Sequence, residues 1–169
     1  VDTRFQGTTS VIYTDTDESG NMTTQCIDYV VRDYIAPDID LRTLDVINHR
    51  VNTPYTPVAA TASDNLYSTS QISLTTTSNV DAYELGVYQD TYTATDAAGN
   101  VSTKVRTVNV IDDLNPMITG KNGGILKLGV GSQVDAINYI NFSDNYDSPA
   151  DLRNNHTLVY NNINLQEAG

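Results

Sequence analysis

Along the stretch VYQDTYTAT (residues 87–95), Tyr88, Tyr92 and Ala94 share one parity with Asp90, and Thr91, Thr93 and Thr95 take the other. Side chains on a strand alternate between its faces, so this period of two predicts a strand with one buried and one wet face. The segment DAAGN (residues 96–100) follows. Asp96 is suited to folding its carboxylate onto backbone N–H groups two residues on, and Gly99 or Asn100 to taking positive φ, so a tight reversal is expected here. In the next strand Val101 and Val105 are odd, whereas Val108 and Val110 are even. An earlier stretch slips in the same way, with Met22 and Cys26 even and Tyr29 and Val31 odd. The shared slip predicts a β-bulge near Arg106 and Ile27. Cys26 occupies the slot of Val105 and is expected to be a small core hydrophobe.

These two strand pairs belong to a longer repeat. Val1–Ile39 lies over Val80–Ile118 without a gap, Gly20 and Gly99 standing 79 residues apart, as do Pro37 and Pro116. A second register pairs ASDNLY (Ala62–Tyr67) with FSDNYD (Phe142–Asp147), where Asp64 and Asp144 are 80 apart. A period near 80 residues is too long for a solenoid repeat and suits a small β-sandwich. Pro37 and Pro116 each follow charged, loop-like residues and precede a new apolar run, marking module starts. The expected organisation is the C-terminal half of one module over residues 1–35, a complete module over 36–113, and the N-terminal half of a further module over 114–169. The chain opens on Val1 without Met and is cut mid-module at both ends. Two readings are open: an excerpt of a longer array, or half-modules that neighbouring chains complete head-to-tail.

Composition supports an all-β chain. Thr, Asn, Asp and Tyr abound, Trp is absent, and Glu occurs only at Glu18, Glu84 and Glu167, so helix formers are scarce. The hydrophobic share of 39% is enough to fill a core. A formal charge of −12 repels phosphate backbones and anionic membrane surfaces, which argues against nucleic-acid partners. No apolar run approaches the roughly 20 residues of a membrane span, so no membrane insertion is expected. Cys26 is the single cysteine, which excludes an intrachain disulfide.

The run YQDTYTATDAAGNVSTKVRTVNVIDDLNPMI, with the partial pattern LKLGVGSQVDAINYINFSDNYD, resembles the tandem bacterial immunoglobulin-like domains related to hyalin repeats, found in large surface proteins and secreted multidomain proteins. The resemblance implies tandem immunoglobulin-like β-sandwich modules, one complete and two partial, acting as spacers or adhesive units. It brings no catalytic residues to carry over. The expected function is an extracellular structural or adhesive repeat, a semi-rigid stalk or fibre segment of a bacterial cell-surface protein. The alternatives are a carbohydrate- or ligand-binding accessory module of a secreted enzyme, and a filament subunit completed head-to-tail. Expected partners are neighbouring immunoglobulin-like modules or identical chains, together with surface glycans or proteins.

No enzyme signature stands out. His49 and His156 sit in unrelated contexts, and TGKNGG (Thr119–Gly124) lacks the spacing of a phosphate loop, so Asn122-Gly123 reads as a hairpin turn. Acidic residues offer more. Asp33 aligns with Asp112, each shortly before a module-starting Pro, and the segment IDDLNP adds Asp113 and Asn115. Asp64 lies in SDN (Ser63–Asn65) and Asp144 in SDNYD (Ser143–Asp147), and these segments either complete such a site or form another. Calcium takes about six to eight oxygens, which a module junction can gather from both neighbours, so a structural Ca²⁺ is the expected cofactor. The competing reading of these residues is turn formation. The eleven tyrosines suit core packing better than sugar stacking, and four N-x-[ST] sequons begin at Asn21, Asn100, Asn141 and Asn155.

Overall fold

The computed structural model describes Asp2 and residues 5–157. Of the expected third module, residues 158–169 lie outside the described residues. By packing, the chain forms two compact units: Val1–Asp45, Pro57–Asn79 and Gln89–Thr107 make the first, and Val46–Thr56, Val80–Tyr88 and Val108–Gly169 the second. Nearly all regular structure is β, as the composition requires.

In the first unit, β1 (Gly7–Thr16) and β2 (Met22–Val31) form an antiparallel hairpin. Asp17 closes it, accepting from the Ser19 and Asn21 backbone at 2.9 and 2.8 Å, with Gly20 at φ +86. The expected bulge near Ile27 is absent: pairing runs unbroken from Gly7↔Val31 to Thr16↔Met22, with Ile27 opposite Val11. Nor does Cys26 enter a core. It is exposed, as is Val105 in the equivalent place.

β3 (Asp38–Asp40) begins immediately after Pro37 and pairs with β5 (Thr61–Ser63), Ile39 facing Ala62. A four-stranded sheet has the order β4-β8-β7-β6, where β4 is Val46–Arg50, β6 Ser73–Ser78, β7 Gly86–Thr95 and β8 Val101–Ile111. Ile39 and Leu41 pack on Tyr92 and Ala94 of β7, flanked by Ala60, Ala62, Ile72 and Leu74. This apolar layer between two sheets makes a sandwich, and full burial of a side chain such as Ile39 is worth about 1.5–3 kcal/mol. The even-numbered face predicted for β7 is the buried one, with Asp90, Tyr92 and Ala94 all at 0% exposure. At the turn after β7 it is Gly99, at φ +91, that takes the left-handed conformation.

β8 shows why the valines mislead. Its inner face stays even throughout, through Ser102, Lys104, Arg106, Val108 and Val110, while Val101 and Val105 point outward. The apparent slip arises because three inner positions are polar. Ser102 Oγ donates to the Pro37 carbonyl, Lys104 Nζ to that of Ile39, and Arg106 to the loop after β3. Backbone carbonyls of residues 37–44 thus take the place that apolar side chains would fill.

In the second unit, Val51 (0% exposed) donates from its N–H to Ile111 O, and Asn52 N–H to Ala82 O, both at 2.9 Å. β9 (Met117–Gly120) begins after Pro116 and pairs with β10 (Ile140–Ser143), Phe142 facing Ile118. The Phe142 ring lies 5.9 Å from His156, beyond the short α1 (Pro149–Asn154), whose first turn is capped by Ser148 Oγ accepting from Asp151 N–H at 3.2 Å. Asn122 and Gly123 both take positive φ, as a tight turn demands, but β9 pairs with β10 some twenty residues on, so they do not close a hairpin.

Candidate functional site

Three loops of the first unit bring carboxylates together. Asp33 follows β2, Asp64 follows β5 and Asp96 follows β7. One oxygen from each lies within 4.8 Å of the others. Each aspartate is fixed by its own backbone turn: Asp33 Oδ1 accepts from Ile35 N–H at 3.0 Å, and Asp64 Oδ1 from Leu66 and Tyr67 N–H at 2.9 and 3.0 Å. Asp96 is held by Asn100, whose backbone N–H reaches Oδ1 and whose amide reaches Oδ2, both at 2.8 Å. The same amide donates to the carbonyls of Asp33 and Ile35 at 3.3 Å, tying two of the loops. The second oxygens of Asp33 and Asp64 are buried without a hydrogen-bond partner.

The second unit repeats the arrangement. Asp112, Asp144 and Asp147 form a like group within 4.8 Å. Asp112 Oδ1 accepts from Leu114 N–H at 3.2 Å, as Asp33 does from Ile35, and Asp144 Oδ1 from Tyr146 and Asp147 N–H at 2.9 and 3.2 Å, as Asp64 does from Leu66 and Tyr67. Asp144 Oδ2 is again buried and unpartnered. The side chain nearest in role to Asp96 differs: here the third carboxylate is the exposed Asp147 from the same loop as Asp144.

Hydrogen bonds around Asp96 and Asp144 favour their ionised forms. Burial pushes the Asp96 carboxyl up, but hydrogen bonds from the Asn100 side chain and backbone, Gly99 and Ala98 outweigh it and leave it below the usual range. The Tyr146 N–H does most to hold Asp144 low, against its burial. Three anionic oxygens converging with two or more lone pairs unused repel one another, and hard oxygens of this kind are what Ca²⁺ coordinates. Asp33, Asp64 and Asp96 fit such an ion as three of its ligands.

Of the residues singled out in the sequence, Asp33 and Asp64 meet in one group and Asp112 and Asp144 in the other. Asp113 turns away and takes the Arg50 guanidinium, Nε to Oδ1 at 2.5 Å and Nη2 to Oδ2 at 3.1 Å. Asn115 is exposed. Asp96 escaped the sequence reading as a ligand, and Asp147 entered it only as the last residue of the SDNYD segment. Asp96 was legible as a turn former only, although its recurrence as Asp17 at the same repeat position was the available signal.

Residues 39–110, less than half of the chain, match the model of a family described as bacterial surface protein, Ig-like domain. The match runs from Ile39 of β3 to Val110 of β8. Among solved structures, the crystal structure of the lipoprotein BT2262 from Bacteroides thetaiotaomicron is similar at 19% identity with a TM-score of 0.37. The likeness covers 50% of this chain and 48% of that one, so this chain spans about half the length of that relative. No curated protein matches the chain. The fold is the all-β immunoglobulin-like sandwich that the repeat implied, and its central stretch is similar to domains of bacterial surface proteins.

Proposed function

We propose that this chain is a load-bearing segment of a bacterial surface protein, built of immunoglobulin-like modules of about 80 residues with calcium stiffening each junction. The reading places the module starts at Pro37 and Pro116 and the protein outside the cell. It rests chiefly on one observation: the carboxylate group recurs at the same repeat positions, Asp33 with Asp64 and Asp112 with Asp144, and Asp33, Asp64 and Asp144 each keep one oxygen in a backbone turn and a second buried without a partner. Turn formation alone accounts for the first oxygen and gives no reason for the buried second one. Both groups are made of carboxylates, the hard oxygen donors that Ca²⁺ takes.

A short linker with its loops tied through one ion has little bending freedom, which suits a stalk that must project a distant tip. Calcium titrated into the 169-residue chain in a calorimeter is expected to give heat and to raise the melting temperature. An ion present at 100 times its Kd adds about 2.7 kcal/mol to stability. Asp64→Asn should remove one binding event and leave the other. Absence of both heat and a melting shift overturns the calcium part of the reading.

A further inference from the structure

Residues 65–80, between Asp64 and Asp81, hold no Asp, Glu, Lys, Arg, Pro or Gly, the longest uncharged run in a chain of net charge −12. The strand within this run, β6 (SLTTTS), ends the four-stranded sheet of order β4-β8-β7-β6. It has β7 on one side and, among the described residues, no strand on the other. Edge strands are ordinarily guarded against pairing by charge, by Pro or by a bulge. β4 at the opposite edge carries Arg50, and β3 carries Asp38 and Asp40. β6 has none of these guards, and its pairing with β7 runs unbroken from Ser73↔Thr95 to Ser78↔Asp90. High β-propensity without charge, Pro or Gly is the composition of segments that add strands to one another.

The register decides which backbone groups face the open edge. Asn79 N–H donates to Gln89 O at 3.2 Å, continuing the β6–β7 ladder in the same register. In antiparallel pairing successive residues direct their N–H and C=O to alternate sides, so Ser73, Thr75 and Thr77 engage β7, while Leu74 and Thr76 turn theirs to the open edge. The outer face beside that edge is neutral as well: Ser73, Thr75 and Thr77 stand opposite Thr95, Thr93 and Thr91 of β7.

We propose that β6 docks against β6 of a second copy of this chain, the two strands running antiparallel about a two-fold axis at Thr75 and joining the two sheets into one. This register sets Leu74 of each copy opposite Thr76 of the other, so the outward-facing groups meet in pairs that exchange both N–H···O bonds. It also brings Thr75 against Thr75, a favourable cross-strand pair. Charge selects the occupant. Two copies at −12 repel over their acidic surfaces, and this strip is where a like-charged chain approaches without setting carboxylate against carboxylate; a basic partner would be drawn to the acidic loops instead. The inference rests on the place of β6 in the sheet and on neither calcium nor the repeat. Because both copies offer the same edge, the contact is isologous and stops at the dimer. Salt strengthens it by screening the remaining repulsion.

Sedimentation equilibrium of the 169-residue chain at rising concentration, in low and in high salt and with chelator present throughout, reads the mass. The expected result is a rise from 18.4 kDa to twice that value and no further, reached at lower concentration in high salt. Thr75 is exposed, and Thr75→Lys sets like charges directly opposite across the axis, as does Thr75→Glu. Each variant alone should keep the monomer mass, and their equimolar mixture should form a 1:1 pair, since opposite charges then face each other. Thr76→Pro removes an N–H that faces the open edge and none that bonds β7, so it too should abolish the dimer, with a circular dichroism melt like that of wild type. A chain that stays monomeric at every concentration and salt, a mass that grows beyond the dimer, charged variants that associate as wild type does, or a mixture that does not pair overturns the proposal. None of these outcomes bears on the calcium reading, which the chelator removes from the experiment.

Discussion

Replacing Arg106 probes the part of the fold that differs most from a simple apolar sandwich. Its guanidinium is fully buried, and all five N–H donors are placed: Nε on Leu44 O at 3.2 Å, Nη1 on Val58 O and Tyr92 Oη at 3.1 and 2.6 Å, and Nη2 on Leu41 O and Thr43 Oγ1 at 2.6 and 2.9 Å. The charge also lies 5.3 Å from the centre of the Tyr92 ring. In Arg106→Met the volume is roughly kept, but three carbonyls lose a donor in a place water does not reach. Removing one member of such a buried charged network costs about 3–5 kcal/mol, reduced somewhat because the guanidinium no longer has to be desolvated. For a domain of this size 1 kcal/mol moves the melting temperature by roughly 4–8 °C, so a fall of at least about 12 °C is expected. Circular dichroism melts of wild type, Arg106→Met and Arg106→Lys provide the assay. Lysine reaches fewer acceptors than the planar fork and should fall between the two. A methionine variant that melts within about 4 °C of wild type would refute the view that this latch holds the loop after β3.

Other expectations follow from single contacts. Tyr92→Phe removes the hydroxyl that accepts from Arg106 and donates to Val58 O at 2.6 Å, and chemical denaturation should show a loss of about 1–3 kcal/mol. Ile39→Ala opens a cavity under β7 and should cost about 2–5 kcal/mol by the same method. Asp96 has its folded pKa depressed, so its contribution is complete above the unfolded value of about 3.9 and disappears as pH falls through the folded one. An acid titration of stability should therefore be shallower below that value in Asp96→Asn than in wild type; parallel acid limbs would contradict the assignment. Gly99→Ala forces a Cβ into φ +91 and should lower stability by about 1 kcal/mol although space around it is free.

What the sequence disclosed was the repeat and the parity of β7. Both depend on patterns that survive without tertiary information, and the turn residues Asp96 and Gly99 punctuate them. Parity failed on β8 and β2 because it counts valines as inward and polar residues as outward. Arg106 breaks that rule, buried as it is among carbonyls supplied by a loop more than sixty residues earlier. Cys26 breaks it in the other direction, exposed on a hairpin face that also carries Ile12, Met22 and Val30. Of the acidic groups, Asp33 and Asp64 could be proposed from recurrence, but their meeting with Asp96 depends on three loops that lie far apart in sequence. Asp113 could not be told from Asp112 by composition; the Arg50 side chain on β4 separates them.

The contrast between the two hairpins bears on how a repetitive chain avoids pairing its halves wrongly. Modules of similar sequence in tandem are prone to exchange equivalent elements. Here β7–β8 carries Arg106, which requires the carbonyls of Leu41, Leu44 and Val58 and the Thr43 hydroxyl in one cradle. The positions after β9 that would have to supply that cradle hold Gly120, Asn122 and Gly123, the last two in positive-φ geometry. A covering segment of that kind leaves the guanidinium poorly satisfied, at a cost that grows with burial. β1–β2, with Val11 and Ile27 in place of Asp90 and Arg106, makes no such demand. Discrimination between the two faces then comes from an unsatisfied charge in the wrong pairing more than from better packing in the right one. Arg106→Ile should erase it: a chain with that substitution is expected to populate exchanged dimers on refolding, detectable by sedimentation, where the wild-type central module does not exchange.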